Sequence, residues 1–241
     1  MQITSAMKMV SAAKLKRAQD AITQMRPYAS KLKEILTNLS ASLDLSDNAY
    51  SEARDSGKVL IVGVTSNRGL CGGFNNNVIK RVNELIKDDF SGDDVHVLCL
   101  GKKIRDVIKR TDYHYTNDYL EPREDVYADL TFDNVAEVAE ELMRLFKSGE
   151  FSKICVVYNR FVNAATQVVE SEQFLPVQSP ENEESNQAGD YIFEPSKEEI
   201  VEDLIPKSLK VQLFKAILDS NAAEHGARMT AMHEATDNAN E

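Results

Sequence analysis

The chain has 241 residues, 42% of them hydrophobic, with 39 acidic against 28 basic side chains and a net charge of −11. That is enough apolar material for one packed domain plus an extended element. No run of eighteen apolar residues is present, so no segment reads as a transmembrane helix, and the start lacks the apolar stretch of a signal peptide. Cys71, Cys99 and Cys155 stand singly in apolar or Gly-rich settings and read as reduced, buried thiols of a cytoplasmic-type compartment; no CxxC, HExxH or His cluster points to a metal.

The first predicted element is a helix from Gln2 to Leu45, roughly 65 Å long at 1.5 Å per residue. Leu15, Ala18, Ile22, Met25, Ala29, Leu32, Leu36, Leu39 and Leu43 recur in steps of three and four, one apolar seam for a partner helix. Upstream, Ile3, Met7 and Val10 keep those steps in a shifted phase, so the seam is expected to jog near residues 11–14. Pro27 removes one backbone donor and should bend the helix without ending it. Lys8, Lys14, Lys16, Arg17, Arg26, Lys31 and Lys33 face only Asp20 and Glu34 within the first 36 residues. A basic helix on an acidic body suits an acidic partner surface, with nucleic acid as the rival and a plain solvated face as the bland alternative.

After a break at Asp55-Ser56-Gly57 the pattern alternates as in an α/β domain. Lys58–Val64 reads as a strand buried on both faces. Asn75–Lys87 follows as a helix, Val95–Leu100 as a strand, Lys102–Arg110 as a short helix and Tyr113–Thr116 as a weak strand. Phe132–Lys147 is amphipathic with Thr131 as its cap, Lys153–Tyr158 is another buried strand, and Thr166–Pro176 is an edge strand. Residues 179–190 read as an exposed acidic loop, Tyr191–Phe193 as a short strand, and Ser196 as the N-cap of a helix to Leu204.

The last helix is expected to open at Lys207, with Pro206 at its first turn. Its seam is Leu209, Leu213, Ala216, Ser220, Ala223, Ala227 and Thr230. Small seam residues let two helix axes come close, and Gly226, which costs roughly 1 kcal/mol of helix propensity, is tolerable where a neighbour packs tightly. The two terminal helices therefore pair antiparallel around an inserted Rossmann-like α/β domain: a coiled-coil helix over 1–48, the domain over 57–205, the second coiled-coil helix over 206–241. Neither end carries a capping signal, so the chain is expected to be part of a longer one.

The loop Ser66–Asn75 is Gly-rich, follows a strand and opens a helix, where phosphate sites form. Yet Gly69, Gly72 and Gly73 fit neither GxGxxG nor the Gly-Lys-Ser/Thr pattern. The plain reading is a tight turn needing positive φ, with Asn75 as N-cap. Cys71 beside a helix start has no base near it in sequence, and Glu224, His225, Arg228 and His233 read as a helix surface. No catalytic constellation and no cofactor site emerges.

Three blocks carry a family resemblance: Ile3–Gln19 (ITSAMKMVSAAKLKRAQ), Arg68–Asn75 (RGLCGGFN) and Glu224–Ala239 (EHGARMTAMHEATDNA), joined by Arg26-Pro27-Tyr28 and Asp190–Pro195. The chain closely resembles the gamma subunit of the rotary, F-type proton-translocating ATP synthase. The resemblance implies a non-catalytic rotor shaft whose antiparallel coil turns inside a head of alternating alpha and beta subunits. Its α/β body would sit beside the epsilon subunit and the membrane c-ring, so that proton flow is coupled to ATP synthesis or hydrolysis at the beta sites. It implies a peripheral place on the cytoplasmic face of the bacterial inner membrane, held there indirectly, with no nucleic-acid partner.

By position, Met7 matches the first Met of the family's AMKMV block at the contact with an acidic beta loop, and Lys8, Lys14, Lys16 and Arg17 fit the same electrostatic role. Arg228 and Met229 match the ARM block of the opposite helix. Arg68, Gly69 and Cys71 would face epsilon and the ring. The family's initial basic segment and final YNxxRQ segment do not occur here, so contacts at the top of the head are not expected from this sequence. Two other readings stay open at this point. One is a nucleotide-binding α/β enzyme with a helical oligomerisation appendage; the other is a coiled-coil scaffold binding nucleic acid through residues 8–33.

Overall fold

The computed structural model describes residues 2–40, 48–52, 54, 57–177 and 197–239. The predicted strand at Tyr191–Phe193, the acidic loop and the Ser196 cap lie outside them. Helix α1 spans Gln2–Ser40 and passes through Pro27. Then follow β1 Lys58–Val64, α2 Phe74–Glu84 closed by a π turn at Leu85–Asp89, β2 Asp94–Leu100, α3 Lys102–Ile108, β3 His114–Tyr115, α4 Phe132–Lys147, β4 Lys153–Phe161, β5 Gln167–Leu175 and α5 Lys197–Asp237.

The sheet order is β3-β2-β1-β4-β5. Strand β1 pairs parallel with β2 and β4, β2 pairs parallel with β3, and β5 runs antiparallel to β4 at the edge. Side-chain alternation along the strands builds two cores. Val59, Ile61, Val97, Cys99 and Val157 meet Val78, Val82 and Ile104 of α2 and α3 on one face. Leu60, Val62, Leu98, Ile154, Val156 and Tyr158 meet α4 and α5 on the other. This is the expected three-layer α/β body, with strands buried on both sides and therefore almost continuously apolar. Thr131 caps α4 as predicted, its Oγ1 accepting from the Asn134 N–H. Gly101, at φ +106°, lets β2 turn into α3 where a Cβ would collide with the Thr65 carbonyl.

Two helix expectations are corrected. Helix α5 does not open at Lys207: it is already helical at Lys197 and carries Pro206 inside. Proline costs an interior helix one hydrogen bond and strains the preceding turn; here Ile205 and Leu209, buried on either side of it, hold the helix on the body. The seam of α1 also does not jog. Ser11 is buried in phase with Leu15, Ala18 and Ile22, while Ile3, Met9 and Val10 are exposed. Further up, the Thr236 hydroxyl lies 2.8 Å from that of Thr4, across the antiparallel pair. From Thr4 to Ile22 the pair keeps one contact face, and its upper part simply uses small and polar residues. From Leu209 to Met232, α5 is buried on most sides, by α1 on one flank and by the sheet and α4 on the other. Helix α1 keeps its outer face in solvent.

Candidate partner-contact site

The basic stretch of α1 divides by exposure. Lys14, Lys16 and Arg17 are exposed, and Met7 and Lys8 are half-buried beside α5. Lys16 pairs with Asp20 at 2.7 Å on the surface, an ion pair that contributes little. Lys8, Lys14 and Arg17 form no ion pair among the described residues. The exposed Ile3, Met9 and Val10 lie on the same end of the helix and add an apolar edge to that cationic surface. Steps of three and four place Ile3 and Val10 on the seam, and their exposure corrects that expectation.

The Gly-rich loop sits at the carboxyl end of β1. Leu70, at φ +62°, is exposed at its tip, and Gly72 follows at φ +55°. Asn75 is not the N-cap; Gly73 holds that position. Asn75 is buried two residues further in and staples the loop instead. Its Oδ1 accepts from the Ser66 N–H at 2.9 Å and from the Ser66 hydroxyl at 3.0 Å, while its Nδ2 points at the Cys71 sulfur, 3.1 Å away. A short polar side chain at the second helical position reaches back over the turn as easily as it caps.

Arg228 comes to this loop from a position 160 residues distant. Its Nη2 donates to the Arg68 carbonyl at 3.2 Å and to the Gly69 carbonyl at 3.3 Å, and its Nη1 is ion-paired with Glu224 one turn below. The structure thus brings four predicted contact residues, Arg68, Gly69, Cys71 and Arg228, into one junction. Arg68 is exposed and Gly69 partly so. Cys71 is 1% exposed and Arg228 8%, so both face the interior of the chain. Met229, next along, is half-buried against the same apolar cluster.

The chemistry of the junction is structural. Burial pushes the Cys71 thiol up, with Glu224 adding to it, against the opposing pull of Ser66, Arg228 and Asn75; that is opposite to the environment of a nucleophilic thiolate. Burial pushes Cys155 to about 11 and Cys99 to about 12. Burial, with Arg228 and Lys14 nearby, holds His225 down at about 4. Further down the helix pair, Asp219 is buried with the Arg26 guanidinium 3.9 Å away. Burial raises its carboxyl, with Glu172 adding to that, while Lys215, Arg26 and Arg160 pull the other way.

In open α/β sheets, nucleotides occupy the crevice between the loops that follow the strands at the topological switch point. Here that crevice lies between the loops after β1 and β4, and α5 fills it. Gly226 packs under Ala164 of the β4–β5 turn, and the β1 loop turns the Arg68 and Gly69 carbonyls toward Arg228. An anion cradle is built from backbone N–H groups, whereas at this point the loop presents carbonyl oxygens, and to a guanidinium of its own chain. No group of His, Cys, Asp and Glu suited to a metal occurs among the described residues.

A protein-family model described as ATP synthase matches residues 1–241. Among curated relatives, an ATP synthase gamma chain of Flavobacterium johnsoniae is 59% identical over 242 residues, covering all of this chain and 82% of the relative. One of Chlorobaculum tepidum is 40% identical over 245 residues with the same coverage. Among solved structures, a chain from the central stalk and c-ring of Tetrahymena thermophila mitochondrial ATP synthase matches with a TM-score of 0.65 at 22% identity, over 97% of this chain and 99% of that one. A chain of the Euglena gracilis mitochondrial ATP synthase rotor matches with a TM-score of 0.54 at 18% identity, over 94% and 92%. These two share the fold.

Proposed function

Because the chain belongs to the ATP synthase gamma chain family, we propose that it is the central rotor shaft of that complex, coupling proton flow to ATP synthesis or hydrolysis without catalysing either. The observation that carries this reading is the build of the terminal helices. They pair antiparallel, α5 is embedded in the α/β body, and α1 presents Lys8, Lys14 and Arg17, without an ion pair among the described residues, beside exposed Ile3, Met9 and Val10. Such a surface fits an acidic, partly apolar lining of a head built from alpha and beta subunits. The filled crevice argues against the nucleotide-dependent enzyme, and the acidic total against a nucleic-acid scaffold.

Within this reading, Met7, Lys8, Lys14, Lys16, Arg17 and Met229 meet the head. The loop residues Arg68 and Gly69, the first exposed and the second partly so, lie at the carboxyl end of the sheet, toward the Thr4–Thr236 part of the helix pair, a placement that suits the epsilon subunit or the underside of the head better than the c-ring. The c-ring contact falls to the opposite end of the body, where α5 begins. Among the described residues no helix is long and apolar enough to cross a membrane, which suits a peripheral subunit on the cytoplasmic face of the bacterial inner membrane. The coil and body divide as residues 1–48 and 206–241 against 57–205, with the first turns of α5 belonging to both.

The test is co-purification of the tagged chain with alpha and beta subunits, together with the double variant Lys14→Glu/Arg17→Glu. The reading predicts capture of both subunits by the unmodified chain and weaker, more salt-sensitive capture by the variant. Failure of the unmodified chain to capture either subunit would overturn it.

A further inference from the structure

Above Thr230 the two terminal helices have mainly each other, as at Thr4 and Thr236. Below it α5 is enclosed. The last place where the α/β body holds the coil is therefore the ring around residues 226–230, and it is built differently from the packing beneath. Gly226 and Thr230 share one face of α5, and both meet Ala164: a Cβ on Gly226 would lie 3.1 Å from the Ala164 carbonyl oxygen, and the Thr230 hydroxyl donates to that same oxygen at 3.1 Å. From another side of the helix Arg228 donates to the Arg68 and Gly69 carbonyls. Loops from two different strands thus grip α5 off its axis. Apolar packing is non-directional and lets a helix roll, whereas hydrogen bonds fixed to two separate loops resist rotation about the helix axis.

We propose that this two-loop clamp on α5 is the torque-transmitting junction between the α/β body and the coil, with Arg228 as its positioning residue. Helix α1 is driven through α5: its Leu15, Ala18 and Ile22 share an apolar cluster with Leu218, Ala222 and Ala223 of α5 and with Cys71 and Phe74 of the body, and Ile35 and Leu36 pack on the body core lower down, apolar contact that orders the pair but fixes no angle. The proposal rests on the rotor reading and adds where the angle is set.

The experiment uses the assembled complex in inverted membrane vesicles, with ATP hydrolysis and ATP-driven proton pumping measured on the same preparation. The Arg228→Ala/Thr230→Val variant is expected to lower pumping per ATP hydrolysed at least about twofold, with Arg228→Lys falling between it and the unmodified complex. A merely structural role lowers both rates together as assembly declines and leaves their ratio unchanged; an unchanged ratio overturns the proposal. Where that variant fails to assemble, Ala164→Cys/Thr230→Cys replaces it. Oxidation to a disulfide then leaves coupled turnover intact if body and helix turn as one, and reversible loss on oxidation contradicts the clamp. If the unmodified complex itself does not pump, the rotor reading fails instead.

Discussion

A Cβ placed on Gly226 would stand 3.1 Å from the carbonyl oxygen of Ala164 and 3.2 Å from its Cα. Alanine there gains roughly 1 kcal/mol of helix propensity, set against a shift of a few tenths of an ångström in the β4–β5 turn. Gly226→Ala should therefore leave stability within about 1 kcal/mol of the unmodified chain. Gly226→Leu has no such escape and should cost about 1–3 kcal/mol by overpacking. Urea unfolding of the two variants separates the cases; a Leu variant as stable as the Ala one would mean that the turn does not lie on the helix.

Asn75 is the staple of the Gly-rich loop, and its side-chain oxygen takes both the N–H and the hydroxyl of Ser66, which is fully buried. Asn75→Ala strands a buried backbone donor and should destabilise the chain by about 1–3 kcal/mol. The same variant should speed alkylation of Cys71, which is now closed off beneath the loop. Unchanged thiol reactivity would show that Asn75 does not hold the loop.

Asp219 has a raised carboxyl, burial being the largest cause. The folded chain therefore holds its proton more tightly than the unfolded one, and the favourable contribution present below pH 3.8 is lost as pH rises through the raised value. Asp219→Asn removes that loss. Its stability relative to the unmodified chain should improve as pH rises above 3.8. A gap that is flat, or that narrows toward neutral pH, would contradict the assignment.

His225 has the opposite sign. Held at about 4 in the folded chain against 6.5 when free, it takes up its proton preferentially on unfolding. Its contribution is intact above pH 6.5 and is lost as pH falls toward 4. His225→Gln should accordingly unfold less readily than the unmodified chain at low pH while matching it at neutral pH. Thermal melts across that window check it, and parallel pH profiles would sink it.

How much of this was legible from sequence differs by kind of contact. Helix α4 was readable to the residue because a cap, Thr131, and an apolar face agree over four turns. Strand β1 was equally plain, since few other elements are apolar at nearly every position. Local chemistry misled at Pro206 and Asn75. Proline at a helix start and Asn at an N-cap are common uses of those residues, but here tertiary packing keeps the helix running through the first and turns the second back over its loop. The supposed seam jog came from treating apolar residues as inward by default; Ser11 faces the partner helix while Val10 faces out. The junction of Arg228 with Arg68 and Gly69 joins segments 160 residues apart through backbone carbonyls, which leave no mark in a sequence. The family blocks named Cys71 and Arg228 as contact residues beside Arg68 and Gly69, and carried no sign that Cys71 and Arg228 look inward.

The central claim is that the α/β body and coil turn together as one shaft, with the coil inside the head. All three native thiols are buried, so Val107→Cys on the exposed face of α3 offers a selective site for a visible probe. With the catalytic head of the assembled complex fixed to a surface, ATP should drive continuous turning of the probe in one direction. A probe that stays still while the same complexes hydrolyse ATP at full rate would contradict the account.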